Sequence, residues 1–249
     1  MEPDIFQRIE SANKPDFGDV LSKSFELFKK VWVEGMLHLL VTMGAVLPFA
    51  LLIYVPVIGM AIEADGRSGF NPFQEYAPVV IVGYGLVVFL FAFMANAVSM
   101  GIMAHFYRVC QRADTGSPAE VGGYFVFLQR HFVKLLVLTL ASFGIALLAA
   151  LLCYLPIFYV MVPLQLAVVI FAFNPELSVS EIIKASFKLG NRFWLIGFGL
   201  IIVAGLIAQL GVILCGVGVF ATAYFAYIPL YYFYKNTIGF EQEITGNTF

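Results

Sequence analysis

Long apolar stretches alternate with short segments that hold nearly all of the charged residues of this chain. The stretch from Glu34 to Glu63 contains 28 successive residues without a formal charge, and the stretch from Glu75 to Arg108 contains 32. Two longer stretches, Lys134 to Glu176 and Arg192 to Lys235, contain 41 and 42. One helical crossing of a bilayer needs about 20 residues. The pattern therefore predicts one crossing in each of the first two stretches and two in each of the others.

A turn signal lies near the middle of each longer stretch. These signals are Cys153-Tyr154-Leu155-Pro156 and Cys215-Gly216-Val217-Gly218, and Pro and Gly are the residues that most often interrupt helices. The sequence thus predicts an all-α polytopic membrane protein with six transmembrane helices, at about 36–58, 78–104, 134–154, 156–173, 194–214 and 218–234.

Three segments that precede transmembrane hairpins align with one another without gaps. They are Ser24–Trp32, Tyr124–Phe132 and Ser186–Trp194, with Phe at the second position of each. The seventh position is Lys30, Arg130 or Arg192 and the ninth is Trp32, Phe132 or Trp194. The same offsets align the turns at Tyr54–Val57, Tyr154–Ile157 and Gly216–Val219. This register predicts a threefold internal repeat.

Each repeat unit begins with apolar residues spaced three or four apart, as on one face of a helix. The starts carry capping signals, since Ser117–Glu120 and Ser178–Glu181 match the capping box and Asp16 with Asp19 is a weaker version. We therefore predict amphipathic helices in the plane of the membrane at 17–32, 119–132 and 178–191, each followed by a transmembrane hairpin. The chain is one membrane domain, 1–249, with repeat units at about 16–104, 117–173 and 178–234 and a cytoplasmic tail at 235–249.

The composition places the chain in the membrane class and argues against nucleic-acid binding. Hydrophobic residues make up 61% of the sequence and charged residues only 12%, whereas soluble domains have about 25% charged residues. The 14 Lys and Arg residues are outnumbered by 16 Asp and Glu residues, so there is no basic excess for binding nucleic acid. The chain is an integral membrane protein, for which membrane lipids are the expected partners.

The positive charges predict the orientation of the chain in the membrane. Thirteen of the fourteen Lys and Arg residues lie before the first predicted span, between spans two and three (counted through Lys134), between spans four and five, or after span six. Only Arg67 lies on the other side. Because Lys and Arg concentrate on the cytoplasmic side, both termini are predicted to be cytoplasmic.

This layout resembles the membrane domain fused to some bacterial glycerophosphodiester phosphodiesterases, and related uncharacterised bacterial polytopic inner-membrane proteins. The resemblance rests on the Ser-Phe-x-Leu pattern that leads through Phe-Trp into a span, and on the helix from Glu176 to Trp194. It implies a six-helix fold in the bacterial inner membrane and no activity. The catalytic barrel of the fused proteins is absent from this sequence, so their chemistry does not carry over.

Two residue sets are candidate sites. Asn96, Gln165 and Gln209 lie inside predicted spans, where polar side chains either join helices by hydrogen bonds or line a path for a small molecule or lipid. The three aligned basic residues, each two positions before an aromatic residue, either anchor the helices at the interface or form one shared site for lipid headgroups. Both alternatives remain open for both sets.

Recognised catalytic and metal-binding motifs are missing from the sequence. His38, His105 and His131 lie near the predicted membrane boundaries on different segments and match no metal-binding spacing. The three cysteines, Cys110, Cys153 and Cys215, are expected as thiols, with Cys153–Cys215 pairing as an alternative. The sequence thus predicts no cofactor, no metal site and no enzymatic activity.

The sequence predicts two alternative functions. The first is a non-enzymatic accessory or scaffold protein that acts through lipid contacts and through contacts with a protein partner or a second copy. The alternative is a transporter, channel or lipid translocase with a path between the pseudo-symmetric repeats.

Overall fold

The computed structural model describes residues 4–66, 78–116, 121–152, 155–213, 216 and 218–240. Helices make up almost all of these residues, which include no β-strand. In chain order the helices are α1 (Ile5–Ser11), α2 (Phe17–Gly66), α3 (Pro78–Thr115), α4 (Val126–Leu151), α5 (Leu155–Phe173), α6 (Val179–Arg192), α7 (Trp194–Ile213), α8 (Val219–Thr222), a 3₁₀ helix (Ala223–Tyr227) and α9 (Ile228–Thr237).

Five helices of the described chain are long and apolar enough to cross a bilayer. They are α2 through α5 and α7, with apolar spans at Phe17–Ile62, Pro78–Thr115, Val126–Leu151, Leu155–Phe173 and Trp194–Val212. The prediction of an all-helical protein is confirmed, and the five apolar helices agree with a multi-pass membrane protein.

The first predicted in-plane helix, 17–32, is not a separate helix, which corrects the sequence prediction. The α2 helix runs without interruption from Phe17 to Gly66, through the predicted turn at Tyr54–Val57. No proline lies between Phe17 and Leu47 to end the helix, and a lone glycine costs a helix only about 1 kcal/mol. Gly35 also packs against Tyr224, because a Cβ built on Gly35 would lie 3.0 Å from the Tyr224 Cβ. An unbroken helix cannot both lie along the membrane surface and cross the bilayer.

The second predicted in-plane helix, 119–132, begins later than predicted. Residues 121–123 are not helical, and Gly122 has a left-handed φ of 80°, a conformation that favours glycine. The α4 helix then begins at Val126 and contains a break at His131, where φ is −130° and ψ is 30°. Residues 117–120, with the predicted capping box, lie outside the described residues.

The third predicted in-plane helix, 178–191, corresponds to a separate helix in the structure, and its position in the plane of the membrane stays a prediction. The α6 helix spans Val179–Arg192, with Ile182, Ala185 and Leu189 on its buried face. It begins with the predicted capping box, in which the Glu181 backbone N–H donates to Ser178 Oγ and the Ser178 backbone N–H donates to the Glu181 carboxylate. A break at Phe193 (φ −128°, ψ 35°) separates α6 from α7.

The predicted turns of the two longer stretches coincide with breaks between helices. The α4 helix ends at Leu151 and α5 begins at Leu155, while α7 ends at Ile213 and the chain is helical again from Val219. Cys153 and Cys215 themselves lie outside the described residues. The predicted sixth span, 218–234, consists of α8, the 3₁₀ helix and α9 and is not among the five long apolar helices.

Helix α5 lies at the centre of the bundle, and the N-terminal and C-terminal parts of the described chain meet. Residues 166–172 of α5 are all buried, and α5 contacts α3, α4, α6, α7 and α9. The buried Arg8 of α1 donates from Nη2 to the carbonyl oxygens of Ile238 (2.9 Å) and Gly239 (2.6 Å). Asn236 also contacts Asp19 at the start of α2. The two ends of the described chain therefore lie at the same end of the bundle.

Candidate functional site

The polar residues predicted inside the spans are not enclosed together. Asn96 on α3 and Gln209 on α7 are exposed on the surface of the helices, and Gln165 on α5 is half-buried. None of the three lines the cavity described below. Whether they join helices or line a path stays a prediction.

The aligned basic residues occupy different environments. Lys30 and Arg130 are exposed, as are the aromatic rings of Trp32 and Phe132 that follow them. In the third unit, Trp194 is half-buried and its Nε1–H donates to the Tyr159 carbonyl at 3.1 Å. Exposed basic and aromatic residues of this kind are typical of interfacial anchors, but a shared lipid-headgroup site stays a prediction.

Arg192 has a structural role that the repeat did not predict. Its guanidinium donates to the carbonyl oxygens of Ile9 (2.7 Å) and Ala12 (2.9 Å) and to that of Glu10. These carbonyls lie at the C-terminal end of α1, where helix carbonyls lack partners within the helix and the dipole attracts cations. Lys188 pairs with the Glu10 carboxylate at 2.5 Å. Arg192 and Lys188 together attach α1 to α6.

A hydrogen-bonded histidine pair lies buried between α2 and α3. His38 is 0% exposed and His105 is 4% exposed. Nε2 of His38 lies 2.8 Å from Nδ1 of His105, and Nδ1 of His38 lies 2.6 Å from the Glu34 carbonyl oxygen. Nε2 of His105 lies 3.3 Å from the carbonyl oxygen of Gly122.

The protons available to the histidine pair limit its contacts. Each carbonyl contact needs a ring N–H, and the bond between the rings needs one more, so all three contacts require three protons. Two neutral rings carry only two protons, so one of the three contacts is without its proton while the pair is neutral. A third proton would complete all three contacts.

Aromatic and hydroxyl groups surround the histidine pair. The His38 ring lies 4.8 Å from that of Tyr124 and 5.2 Å from that of Phe106, measured between centroids. Thr42 donates to the His38 carbonyl at 2.7 Å and lies 3.0 Å from the Tyr224 hydroxyl. Because the Thr42 proton is used for the carbonyl, Tyr224 is the donor to Thr42. This shell buries the pair on several sides.

A second cluster connects α3 to α9 through one carboxylate. Asp114 accepts hydrogen bonds from the hydroxyls of Tyr231 (2.8 Å) and Tyr232 (2.7 Å) and pairs with Lys235 Nζ at 2.7 Å. The carboxylate and the ammonium are both largely shielded from solvent. Three donors around one largely buried carboxylate fix the C-terminal end of α3 against α9.

A cavity of about 240 Å³ lies near this cluster, between α3, the segment that follows α5, and α9. It brings together charged, amide and aromatic side chains: Arg108, Gln111, Phe173, Asn174, Glu176 and Tyr234. In the part of the chain that the structure describes, no three His, Cys, Asp or Glu side chains are grouped as metal ligands. The polar groups of the cavity are suited to hydrogen bonding and ion pairing.

The sequence analysis missed the histidine pair, although a signal was present. His38 lies two residues after the start of the first predicted span and His105 one residue after the end of the second. Consecutive spans are antiparallel, so both histidines belong at the same depth. The roles of Arg108 and Asp114 had no such signal, because Ala172, Tyr231 and Lys235, with which they form contacts, are 64 to 121 residues away in the chain.

No family model, curated protein or solved structure matches this chain. The resemblance to the membrane domain of glycerophosphodiester phosphodiesterases therefore stays a prediction.

Proposed function

We propose that the protein is a non-enzymatic integral membrane protein, an accessory or scaffold protein that acts through lipid and protein contacts. One observation carries this proposal: the outer halves of α2 and α3 are apolar and exposed on most sides. Val55 on α2 is 60% exposed and Leu86 on α3 is 65% exposed. Helical segments that are apolar all round need an apolar environment, which lipid or other membrane helices provide.

The other ends of these two helices are packed very differently. We call the opposite end of the bundle, which contains Arg108 and Asp114, its charged end. This end encloses Val31 of α2 and Phe106 and Tyr107 of α3, all at most 1% exposed. The protein thus combines a closely packed end with an open pair of apolar helices. Such an arrangement supports contacts with partners along the membrane rather than an enclosed reaction centre.

Six crossings with both termini in the cytoplasm form part of this proposal. The contact between Arg8 and Ile238 brings both ends of the described chain together, which supports an even number of crossings. Five long apolar helices and the segment from Val219 to Thr237 supply six. The distribution of Lys and Arg supports the cytoplasmic side, and we place the protein in a bacterial inner membrane on the resemblance alone.

The threefold repeat is the finer part of the proposed architecture. His131 and Phe193, which align at an offset of 62 residues, break their helices with nearly identical backbone angles. This agreement supports a common origin for the second and third units. The first unit has lost the break, since the aligned Val31 lies within the continuous α2 helix.

A transporter, channel or lipid translocase is the second candidate, and the histidine pair favours it. Ionisable residues within membrane segments often belong to proton relays, and the two rings of this pair lie within hydrogen-bonding distance of each other. Its path would run between the repeat units.

Photocrosslinking of the full-length protein in native membranes separates the two candidates. A crosslinker at Val55 or Leu86 is compared with one at Leu166, which is 0% exposed. The accessory function predicts crosslinks to lipid and to one protein species, at a fixed ratio, from the two exposed positions only. Crosslinks to lipid alone, together with proton flux into proteoliposomes that His38→Ala abolishes, would favour the transporter instead.

A further inference from the structure

The cavity beside Arg108 contains an anion-binding group with donors to spare. Nε of Arg108 donates to the Ala172 carbonyl at 2.8 Å, and Nη1 makes a long contact of 3.4 Å with Gln111 Oε1. The Phe173 ring lies 5.3 Å from the guanidinium carbon. Within the described chain these contacts use two of the five N–H groups of the guanidinium. The remaining donors match the forked oxygens of a phosphate or carboxylate.

Asn174 contributes an acceptor to the same cavity. The residue is only 3% exposed, and Nδ2 donates to the Ile170 carbonyl (3.0 Å) and to the Tyr234 hydroxyl (2.8 Å). Since the Ile170 carbonyl can only accept, the amide nitrogen is fixed on that side. Both amide hydrogens are then used, and Oδ1 has no hydrogen-bond partner among the described residues. Because Asn174 lines the cavity, this acceptor is suited to a ligand that donates.

Glu176 adds a negative charge at the edge of the cavity. Glu176 is exposed and Arg108 is half-buried, and both line the cavity. A primary ammonium has three N–H donors, which Asn174 Oδ1 and the Glu176 carboxylate can accept. The cavity therefore offers complementary groups for both ends of a zwitterion.

The position of the cavity along the helices corresponds to the headgroup layer of the membrane. Arg108 lies four residues beyond the end of the predicted span at 104, or about 6 Å along the helix. Asn174 and Glu176 follow directly on the span that ends at 173. The headgroup layer extends about 5–8 Å beyond the hydrocarbon on each side. A lipid headgroup or a small soluble ester can both reach this depth.

We propose that this cavity binds a phosphoethanolamine group, with the phosphate on Arg108 and the primary ammonium on Asn174 and Glu176. Its volume of about 240 Å³ is smaller than the roughly 300–1,000 Å³ of pockets for drug-sized ligands, which suits a group of headgroup size. The group can come from a phosphatidylethanolamine lipid or from a soluble phosphoethanolamine ester. This inference does not depend on the accessory function proposed above.

Titration of the full-length protein in phosphatidylcholine nanodiscs tests the proposal. O-phosphoethanolamine, phosphocholine and inorganic phosphate are added separately and binding is measured by calorimetry. We expect phosphoethanolamine to bind at least about tenfold more tightly than phosphocholine, whose quaternary ammonium has no N–H to donate. In a second arm, phosphatidylethanolamine replaces part of the phosphatidylcholine in the nanodiscs. The melting temperature of the protein should then be higher than in phosphatidylcholine alone.

Three variants identify the groups responsible. Arg108→Gln should weaken both phosphoethanolamine and inorganic phosphate at least about tenfold, while Glu176→Gln should weaken phosphoethanolamine and leave inorganic phosphate unchanged. Arg112→Gln is the matched control, since Arg112 lies one turn further along α3 and does not line the cavity. It should bind like the wild type.

The outcomes of the two arms distinguish the sources of the group. Binding of the soluble ester assigns a free ligand, and stabilisation by phosphatidylethanolamine alone assigns a lipid. Equal affinity for phosphocholine, or no response in either arm, would overturn the proposal. The comparison of headgroups uses the wild-type protein, so it remains decisive if Arg108→Gln fails to fold.

Discussion

His131 and Phe193 adopt the same non-helical backbone conformation, with φ and ψ of −130° and 30° in one and −128° and 35° in the other. Each lies between a basic residue and a large aromatic residue, Arg130 and Phe132 in one case and Arg192 and Trp194 in the other. At both places a short helical segment therefore ends where a long apolar helix begins.

The first prediction concerns topology. A reporter fused after Phe249 should be active only in a format that reports the cytoplasm, because six crossings return the chain to the side of the N-terminus. A second fusion, inserted between Gly69 and Phe70, serves as the control and should report the opposite side. Activity of the Phe249 fusion on the extracytoplasmic side would contradict the six-crossing arrangement.

The capping box of α6 gives a prediction about stability and pH. Hydrogen bonds from the Ser178 hydroxyl and backbone N–H lower the pKa of Glu181 below its ordinary value. A lowered pKa in the folded state means that the carboxylate stabilises the fold above its unfolded-state pKa. This contribution is lost as the pH falls through the folded-state pKa. Ser178→Ala should cost about 1 kcal/mol of unfolding free energy at neutral pH.

Chemical unfolding in detergent at neutral and acidic pH measures this effect. Glu181→Gln should reduce the dependence of stability on acid, and the conservative Ser178→Thr should retain most of the cap. An unchanged acid dependence in Glu181→Gln would show that other carboxylates dominate.

The histidine pair gives a prediction about coupling. His38→Ala and His105→Ala should each cost about 1–3 kcal/mol, because each leaves a buried ring nitrogen without its partner. The double variant should cost clearly less than the sum of the two, since the second change removes the nitrogen that the first left unpaired. Unfolding free energies of the four proteins in one double-mutant cycle measure the coupling. His131→Ala, combined with His38→Ala, is the control and should be additive.

The Asp114 cluster should be the strongest electrostatic contact at the charged end of the bundle. Asp114→Asn removes the charge that three donors share and should cost about 2–3 kcal/mol. Glu26→Gln is the control, because the Glu26–Lys29 pair is exposed and surface ion pairs contribute little. If the melting temperature falls equally in Asp114→Asn and Glu26→Gln, the Asp114 cluster stabilises the fold no more than an exposed ion pair does.

The sequence was sufficient to predict the helical class and several helix ends, for physical reasons that particular residues illustrate. Ser178 and Glu181 determine a helix start by contacts three residues apart. Pro156 lies in the first turn of α5, where a proline is tolerated, and Gly216 has a left-handed φ of 71° in the break after α7. Such local effects can be read from the sequence. The continuous α2 was not predicted, because amphipathic spacing over 17–32 is equally compatible with a surface helix and with the first turns of a long one.

The candidate sites were harder to predict because they depend on contacts between distant helices. Arg108 meets Ala172 and Asp114 meets Lys235 only after the bundle has formed. No local pattern distinguishes these residues from ordinary charges at the membrane boundary. The pair of His38 and His105 could be predicted in part. The predicted topology places both residues at one depth, but it does not show that their rings are in contact.

The last prediction separates the three aligned basic residues, Lys30, Arg130 and Arg192, by their contacts. Anionic headgroups attract a Lys or Arg near the surface with about 1 kcal/mol. Lys30→Gln and Arg130→Gln together should therefore shrink the difference between melting temperatures in anionic and zwitterionic nanodiscs. Arg192→Gln should instead release α1, because it removes the donors to the carbonyls of Ile9, Glu10 and Ala12.

Hydrogen exchange of the amides in α1 measures that release. Exchange there should become at least about tenfold faster in Arg192→Gln and stay unchanged in the other two variants. The Arg192→Lys variant is a useful control, because an ammonium cannot span three carbonyls as a planar guanidinium does, so protection should be restored only in part. If Arg192→Gln changes only the lipid dependence and leaves exchange in α1 unaltered, the three residues form one headgroup site. In that case the hydrogen bonds from Arg192 to α1 do not stabilise α1. The lipid-headgroup role and the structural role of Arg192 differ only in whether Arg192→Gln behaves differently from Lys30→Gln and Arg130→Gln.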